Sequence, residues 1–162
     1  MVMITQEYPL AFGSDVPELV LDASPPDGAP AALTLYYDGP SPGLGTFFGA
    51  SLASGDFDGD GHNDLAVGAY EGSISEQDQA ARGVVYLFYG SLYPVLGGWE
   101  DRGVTSAHDA RLWAGEGDQV GRSLASADLD GDGRDDLIIG APGASCSGNE
   151  GGAVWIVLGR IP

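Results

Sequence analysis

Apolar residues in this chain come in short runs closed by glycine or aspartate, and nowhere do they recur with helical spacing. Asp64-Leu-Ala-Val-Gly-Ala-Tyr70 and Asp136-Leu-Ile-Ile-Gly-Ala-Pro142 each read as a short strand apolar on both faces. Gly83-Val-Val-Tyr-Leu-Phe-Tyr-Gly90 and Gly151-Gly-Ala-Val-Trp-Ile-Val-Leu-Gly159 are rich in β-branched and aromatic residues and are bounded by glycine, which predicts two more strands. Gly68, Ala69, Gly140 and Ala141 are small enough to let sheets pack closely. The unit predicted is strand, acidic loop, strand, glycine-rich loop, strand, then a variable fourth strand. Ala110–Ala114 is the candidate for that fourth strand in the first unit, and the second unit reaches Pro162 before any such run.

The units are copies. FGASLASGDFDGDGHNDLAVGAYEG from Phe48 aligns without gaps on VGRSLASADLDGDGRDDLIIGAPGA from Val120, at an offset of 72 residues. A third, worn copy is read before them. Glu18–Ala23 resembles Asp64–Ala69, Ala32–Tyr37 resembles Val84–Tyr89, and Ser24–Pro30 is the turn between, without the aspartates. The predicted organisation is a degenerate segment over 1–43, a complete unit over 44–115 and a second unit over 116–162. The fold class expected is all-β: antiparallel four-stranded blades forming a partial propeller of about two and a half blades.

Composition sharpens this picture. The 27 glycines and 10 prolines are too many for a mostly helical protein. A formal charge of -18 repels nucleic acid and anionic membranes and favours cations or basic surfaces as partners. No run reaches the ~20 apolar residues of a membrane span. MVMITQEYPL lacks a basic segment followed by a long apolar one, so no signal peptide is expected in this chain. Cys146 is the single cysteine, so no internal disulfide forms, and no base near it in sequence marks it as a nucleophile.

Two loops concentrate the acidity. Asp56, Asp58, Asp60 and Asp64 occupy positions 1, 3, 5 and 9 of the first, and Asp128, Asp130, Asp132 and Asp136 the same positions of the second. Carboxylates packed this closely repel one another unless a cation joins them. Calcium fits better than magnesium, because it takes several oxygen ligands in flexible geometry. Glycines after positions 3 and 5 let the backbone wrap. Position 7, His62 or Arg134, is expected to add its backbone carbonyl, with the His62 imidazole outside the shell. Asp64 and Asp136 are expected to close each shell, giving two calcium ions per chain. Asp135 is expected to face solvent. An EF-hand is excluded, since position 12 is Val67 or Ile139 rather than glutamate and no helices flank the loops.

Phe48-Gly49, Gly68-Ala69-Tyr70, Val120-Gly121, Gly140-Ala141-Pro142 and the DxDxDGxxD loops between them resemble FG-GAP repeats, the blades of integrin alpha-subunit β-propellers. The resemblance covers residues 44 to 160, and more weakly 18 to 38. It implies blades with structural calcium on one rim, and an extracellular or cell-surface origin. It implies no particular activity, since such repeats also occur in enzymes such as a glycosylphosphatidylinositol-specific phospholipase D.

Propellers of the family typically have about seven blades, more than this chain supplies. An open arc leaves sheet faces bare, and three resolutions are open: copies that complete a ring together, a fragment of a longer protein, or a compact non-ring arrangement. Homo-oligomerisation is favoured. Phe12, Tyr36, Tyr37, Tyr86, Phe88, Trp113 and Trp155 are expected at blade contacts, and Thr5–Phe12 is a candidate strand for another copy's blade. The functional reading is a calcium-stabilised, non-enzymatic binding or scaffold module, with protein or carbohydrate as ligand classes. Its alternatives are a calcium-dependent hydrolase, for which only His108-Asp109 offers a base and carboxylate, and an adhesion module.

Overall fold

The computed structural model describes residues 35–39, 45–74, 81–90, 102–103, 108–146 and 149–159. Its elements are strands: β1 (Leu35–Tyr36), β2 (Phe48–Gly55), β3 (Asp64–Ala69), β4 (Val84–Phe88), β5 (Arg102–Gly103), β6 (Ala110–Trp113), β7 (Ser123–Ala127), β8 (Asp136–Ala141), β9 (Ser145–Cys146), β10 (Asn149–Glu150) and β11 (Ala153–Val157). Two antiparallel sheets dominate, as expected for blades of a partial propeller. One is four-stranded in the order β2-β3-β4-β6, and the other three-stranded in the order β11-β8-β7. The run at Ala110 does supply the fourth strand of the first sheet. Both sheets are antiparallel meanders, in which β2, β3, β4 and β6 pair in chain order in one sheet and β7, β8 and β11 in the other.

The registers repeat as the sequences do. Ala53, Ala66 and Leu87 form a cross-strand row in the first sheet, and Ala125, Ile138 and Ile156 the matching row in the second. Even the left-handed residues coincide: Phe47 and Gly49 before one unit, Gln119 and Gly121 before the other. In the first unit this turn shifts the β2–β3 register between Phe48 and Ser51.

The sheets stack face to face. Ala53, Phe57, Ala66, Val85 and Leu87 of the first unit share one core with Val120, Leu137, Ile139, Ala141 and Ala144 of the second, flanked by Leu124, Trp155 and Val157. The far face of the first sheet holds Val67, Ala69, Val84, Tyr86 and Phe88 under Leu35 and Tyr37. There Tyr37, Phe48 and Tyr86 form a triangle of rings with centroids 5.9 to 6.2 Å apart, a spacing at which aromatic pairs attract.

Close approach, not aromatic bulk, sets the stacking distance between the sheets. A Cβ on Gly68 would lie 2.2 Å from the Gly121 carbonyl oxygen, and one on Gly83 would lie 2.2 Å from the Val120 nitrogen. Of the aromatics expected at blade contacts, among the described residues Trp155 packs in this core, while Tyr86 and Phe88 pack with Leu35 and Tyr37 on the far face. Tyr36 and Trp113 are exposed, the latter beneath the Arg111 guanidinium. Within the worn copy, Leu35–Tyr36 is a strand, but it pairs in parallel with Arg102–Gly103. Glu18–Ala23 and Thr5–Phe12 lie outside the described residues. Among the described residues no helix is long and apolar enough to cross a membrane.

Two outcomes are expected. Gly68→Ala pushes a methyl into backbone and so lowers stability by about 1–3 kcal/mol in denaturant unfolding. Burial also raises the titration of Tyr37, Tyr86 and Tyr89 above the ordinary value of 10.0. The folded chain therefore keeps these protons where the unfolded chain loses them. Stability is intact below pH 10 and falls as pH rises beyond it, the fall tracking tyrosinate absorbance.

Candidate metal centres

Each acidic loop is wound by its own aspartates. Asp56 Oδ1 accepts the Gly59 and Asp60 N–H groups at 2.7 and 3.0 Å, and its Oδ2 accepts Gly61 N–H at 2.9 Å. Asp128 repeats this with Gly131 and Gly133 at 2.7 and 3.0 Å. Asp58, Asp60, Asp130 and Asp132 each accept the N–H two residues on, at 2.8 to 3.1 Å. These are the local turns that aspartate favours. Gly61 and Gly133 take φ near +90° (87° and 89°), where the coil reverses and a side chain would be strained although space is open.

The ninth aspartates have a different role. Asp64 and Asp136 are buried. Asp64 accepts Phe57 N–H and Gly90 N–H, both at 2.8 Å, and Asp136 accepts Leu129 N–H and Gly159 N–H, both at 2.9 Å. Each carboxylate thus ties the start of its loop to the far end of the third strand. Burial raises the Asp64 titration above the ordinary carboxylate value. The hydrogen bonds from Gly90 and Phe57 oppose the rise, and the nearby charge of Asp58 adds to it.

Carboxylate oxygens of Asp56, Asp58 and Asp60 lie within 4.8 Å of one another, as do those of Asp128, Asp130 and Asp136. Beside the first triad lies the His62 ring, whose Nδ1 is 3.2 Å from Asp60 Oδ1. Like charges about 4 Å apart repel by about 1 kcal/mol per pair in water and about 4 kcal/mol at a protein-surface dielectric. This donor set, all carboxylate oxygen, suits a hard divalent cation.

The structure corrects the expected ligand set. The clusters consist of aspartate side chains alone, without the carbonyls of His62 and Arg134. His62 turns its N–H and ring toward Asp60. Arg134 turns away from its own loop: Nη1 donates to Gly159 O at 3.2 Å, and its stem and guanidinium lie over Gly59 of the first loop. The triads also differ. Asp136 joins the second cluster, whereas Asp64 is not part of the first.

Asp135 is corrected as well. It is half-buried, its Oδ2 accepts Asp56 N–H at 3.0 Å, and its own N–H donates to Asp56 O at 3.0 Å. The two loops are therefore joined edge to edge. Ser126 Oγ adds a bond to Ser54 O at 2.7 Å, and Ser51 Oγ donates to Gly121 O. Tyr70, where the second copy has Pro142, is stacked on Phe47 with centroids 4.8 Å apart and lies 4.7 Å under the Arg122 guanidinium of the next unit. Sequence reasoning missed these links. The available signal was that position 8 carries Asn63 in one copy and Asp135 in the other, both short hydrogen-bonding side chains.

His108 and Asp109 do structural work. Asp109 Oδ2 accepts Tyr89 N–H at 2.7 Å, and the His108 ring meets Tyr86 edge-on at 5.5 Å.

Stacked antiparallel sheets, each carrying an aspartate-glycine loop between its first two strands, define a propeller-type repeat protein. The FG-GAP repeat model matches residues 48–88 and 120–157, and the chain belongs to that family. It is 34% identical over 108 residues to human phosphatidylinositol-glycan-specific phospholipase D, covering 66% of this chain and 12% of that protein. It is 35% identical over 131 residues to Xenopus laevis integrin alpha-4, covering 79% of this chain and 11% of that one. Drosophila integrin alpha-PS2 is 33% identical over 97 residues, 60% of this chain and 6% of its own. The chain thus spans a small part of the relatives it matches.

Asp136→Ala is expected to leave two backbone N–H groups unsatisfied, costing about 1–3 kcal/mol for each. Urea unfolding in metal-free buffer measures this loss, and Asp130→Ala on the exposed rim is expected to change little there.

Proposed function

We propose that this chain is a non-enzymatic binding or scaffold module whose blades are stabilised by calcium. The observation that supports it most is the pair of carboxylate triads at matching places in two copies. The proposed ligands are Asp56, Asp58, Asp60 and Asp64 in the first loop and Asp128, Asp130, Asp132 and Asp136 in the second. Calcium suits several carboxylates in a flexible loop better than magnesium, which demands a tighter octahedron and keeps its waters. Bound there, the ion supplies charge neutralisation, and its binding energy adds to folding because the unfolded chain has no such site.

The ligand class is protein or carbohydrate, and copies of the chain are proposed to associate, extending the blade array. The likeness to integrin alpha subunits supports a cell-surface or extracellular setting. A hydrolytic role draws no support from His108 and Asp109, which brace β4 and β6.

Scanning calorimetry tests the calcium reading. Each site saturated at a hundred times its dissociation constant adds about 2.7 kcal/mol. The melting temperature is expected to fall clearly when excess chelator replaces calcium, and to fall less for Asp58→Asn combined with Asp130→Asn. Identical melting of the wild-type chain in calcium and in chelator contradicts the proposal.

A further inference from the structure

The first unit shows how one blade receives the next. Its receiving side is Ser51, Gly68, Gly83 and Val85, onto which the Val120–Gly121 turn is seated. Gly121 presses on Val85 Cγ2 and on Gly68, and Val120 N–H donates to Arg82 O at 3.1 Å. The second unit carries the same receiving side, in the same register, as Ser123, Gly140, Gly152 and Val154. There these residues line a shallow hollow. Among the described residues, the atoms nearest the missing side chains of Gly140 and Gly152 belong to Ser123, Ala141 and Pro142 of their own unit.

The apolar positions around the hollow tell the same story. Phe57, Val85 and Leu87 are sealed at 0% exposure between the sheets. Their counterparts Leu129, Val154 and Ile156 stand 51%, 66% and 56% exposed. The face is largely apolar, with Arg122 at the edge of the hollow.

The matching turn is also open on this chain. Phe48–Gly49 is the counterpart of Val120–Gly121, and Gly49 has the same left-handed backbone, with φ of 87° against 79°. Gly49 is exposed, and no atom of the described residues lies within 4 Å of where its Cβ would be. Leu52, the counterpart of the interface residue Leu124, is 48% exposed. The middle of that face is covered by Leu35 and Tyr37, against which the Phe48 ring packs, while Gly49 and Leu52 stay exposed among the described residues.

We propose that a second copy of this chain seats its Phe48–Gly49 turn in the hollow lined by Ser123, Gly140, Gly152 and Val154, repeating between copies the contact that joins the two units within one. The proposal rests on the reading that copies associate, and not on calcium. The occupant is a second copy because both halves of one established joint lie open on the same chain. The contact engages the rim and leaves the strip beneath Leu35 and Tyr37 as it is. Ser123 Oγ then donates to the Gly49 carbonyl of the second copy, as Ser51 does to Gly121. Such a contact is heterologous, running head to tail, so it extends or closes an array rather than pairing like with like.

Light-scattering mass across a concentration series tests it, in the buffer that gives the wild type its highest melting temperature. The wild-type mass is expected to climb above the 16.6 kDa of one chain as concentration rises. Val154→Asp and Leu52→Asp alter exposed side chains, so each is expected to keep the wild-type melting temperature yet remain a monomer. An equimolar mixture of the two is expected to reach the mass of two chains, because each retains the half that the other lacks. A wild type that stays at one chain mass throughout overturns both this contact and self-association. Val154→Asp associating like wild type overturns the seat alone. Monomeric single variants that fail to pair when mixed overturn the head-to-tail geometry.

Discussion

A buried carboxylate that holds two backbone N–H groups is the interaction on which each unit depends. Asp64 and Asp136 sit where their loop returns to the sheet, and each reaches both the loop's second residue and the glycine that ends the third strand. Burying a charge is costly unless it is hydrogen-bonded, and here the bonds come from groups that would themselves be costly to leave unpaired. The loop is thereby held shut at its base. The remaining aspartates are held on the rim, where Asp56, Asp58 and Asp60 crowd together in the first loop and Asp128 and Asp130 crowd against Asp136 in the second. Closure of the loop and concentration of negative charge are two consequences of one geometry.

The joint between units follows the same economy of small groups. Serine hydroxyls, the two bonds between Asp56 and Asp135, and glycines without side chains bring the sheets close. Leu137 and Ile139 of the second unit share one core with Ala53, Phe57, Ala66, Val85 and Leu87 of the first, with Trp155 packed against it. Because the loops are neighbours across that joint, a cation bound at one rim, as proposed, would act on the contact as well as on the blade.

Strands and loops were legible in the sequence because each has a local cause: glycine and aspartate end the apolar runs, and the duplication repeats them in the same order. The roles of Asp64 and Asp136 were only half legible. Their spacing marks them as loop residues, but their bonds to Gly90 and Gly159 join residues more than twenty positions apart. Asp135, Phe57 and Tyr70 were illegible for a related reason. Each acts across the space between units, where a turn residue, a loop residue and a motif departure become a bridge, a core plug and a stacking platform. Aromatic residues were expected at the joint for their area, yet Trp113 is exposed, because the distance between the sheets is set by glycine. His62 and Arg134 were read as carbonyl ligands from position alone, whereas their side chains and N–H groups are used within and between the loops.

The account's central claim is that the outer aspartates form cation sites whose occupation belongs to the fold. Calorimetric titration of the metal-free, folded chain with calcium tests it most directly. The account predicts saturable binding at both loops, with the binding at each loop lost separately when Asp58 or Asp130 is replaced by asparagine. A folded chain that takes up calcium without saturation, or identically in the wild type and the double variant, would contradict it.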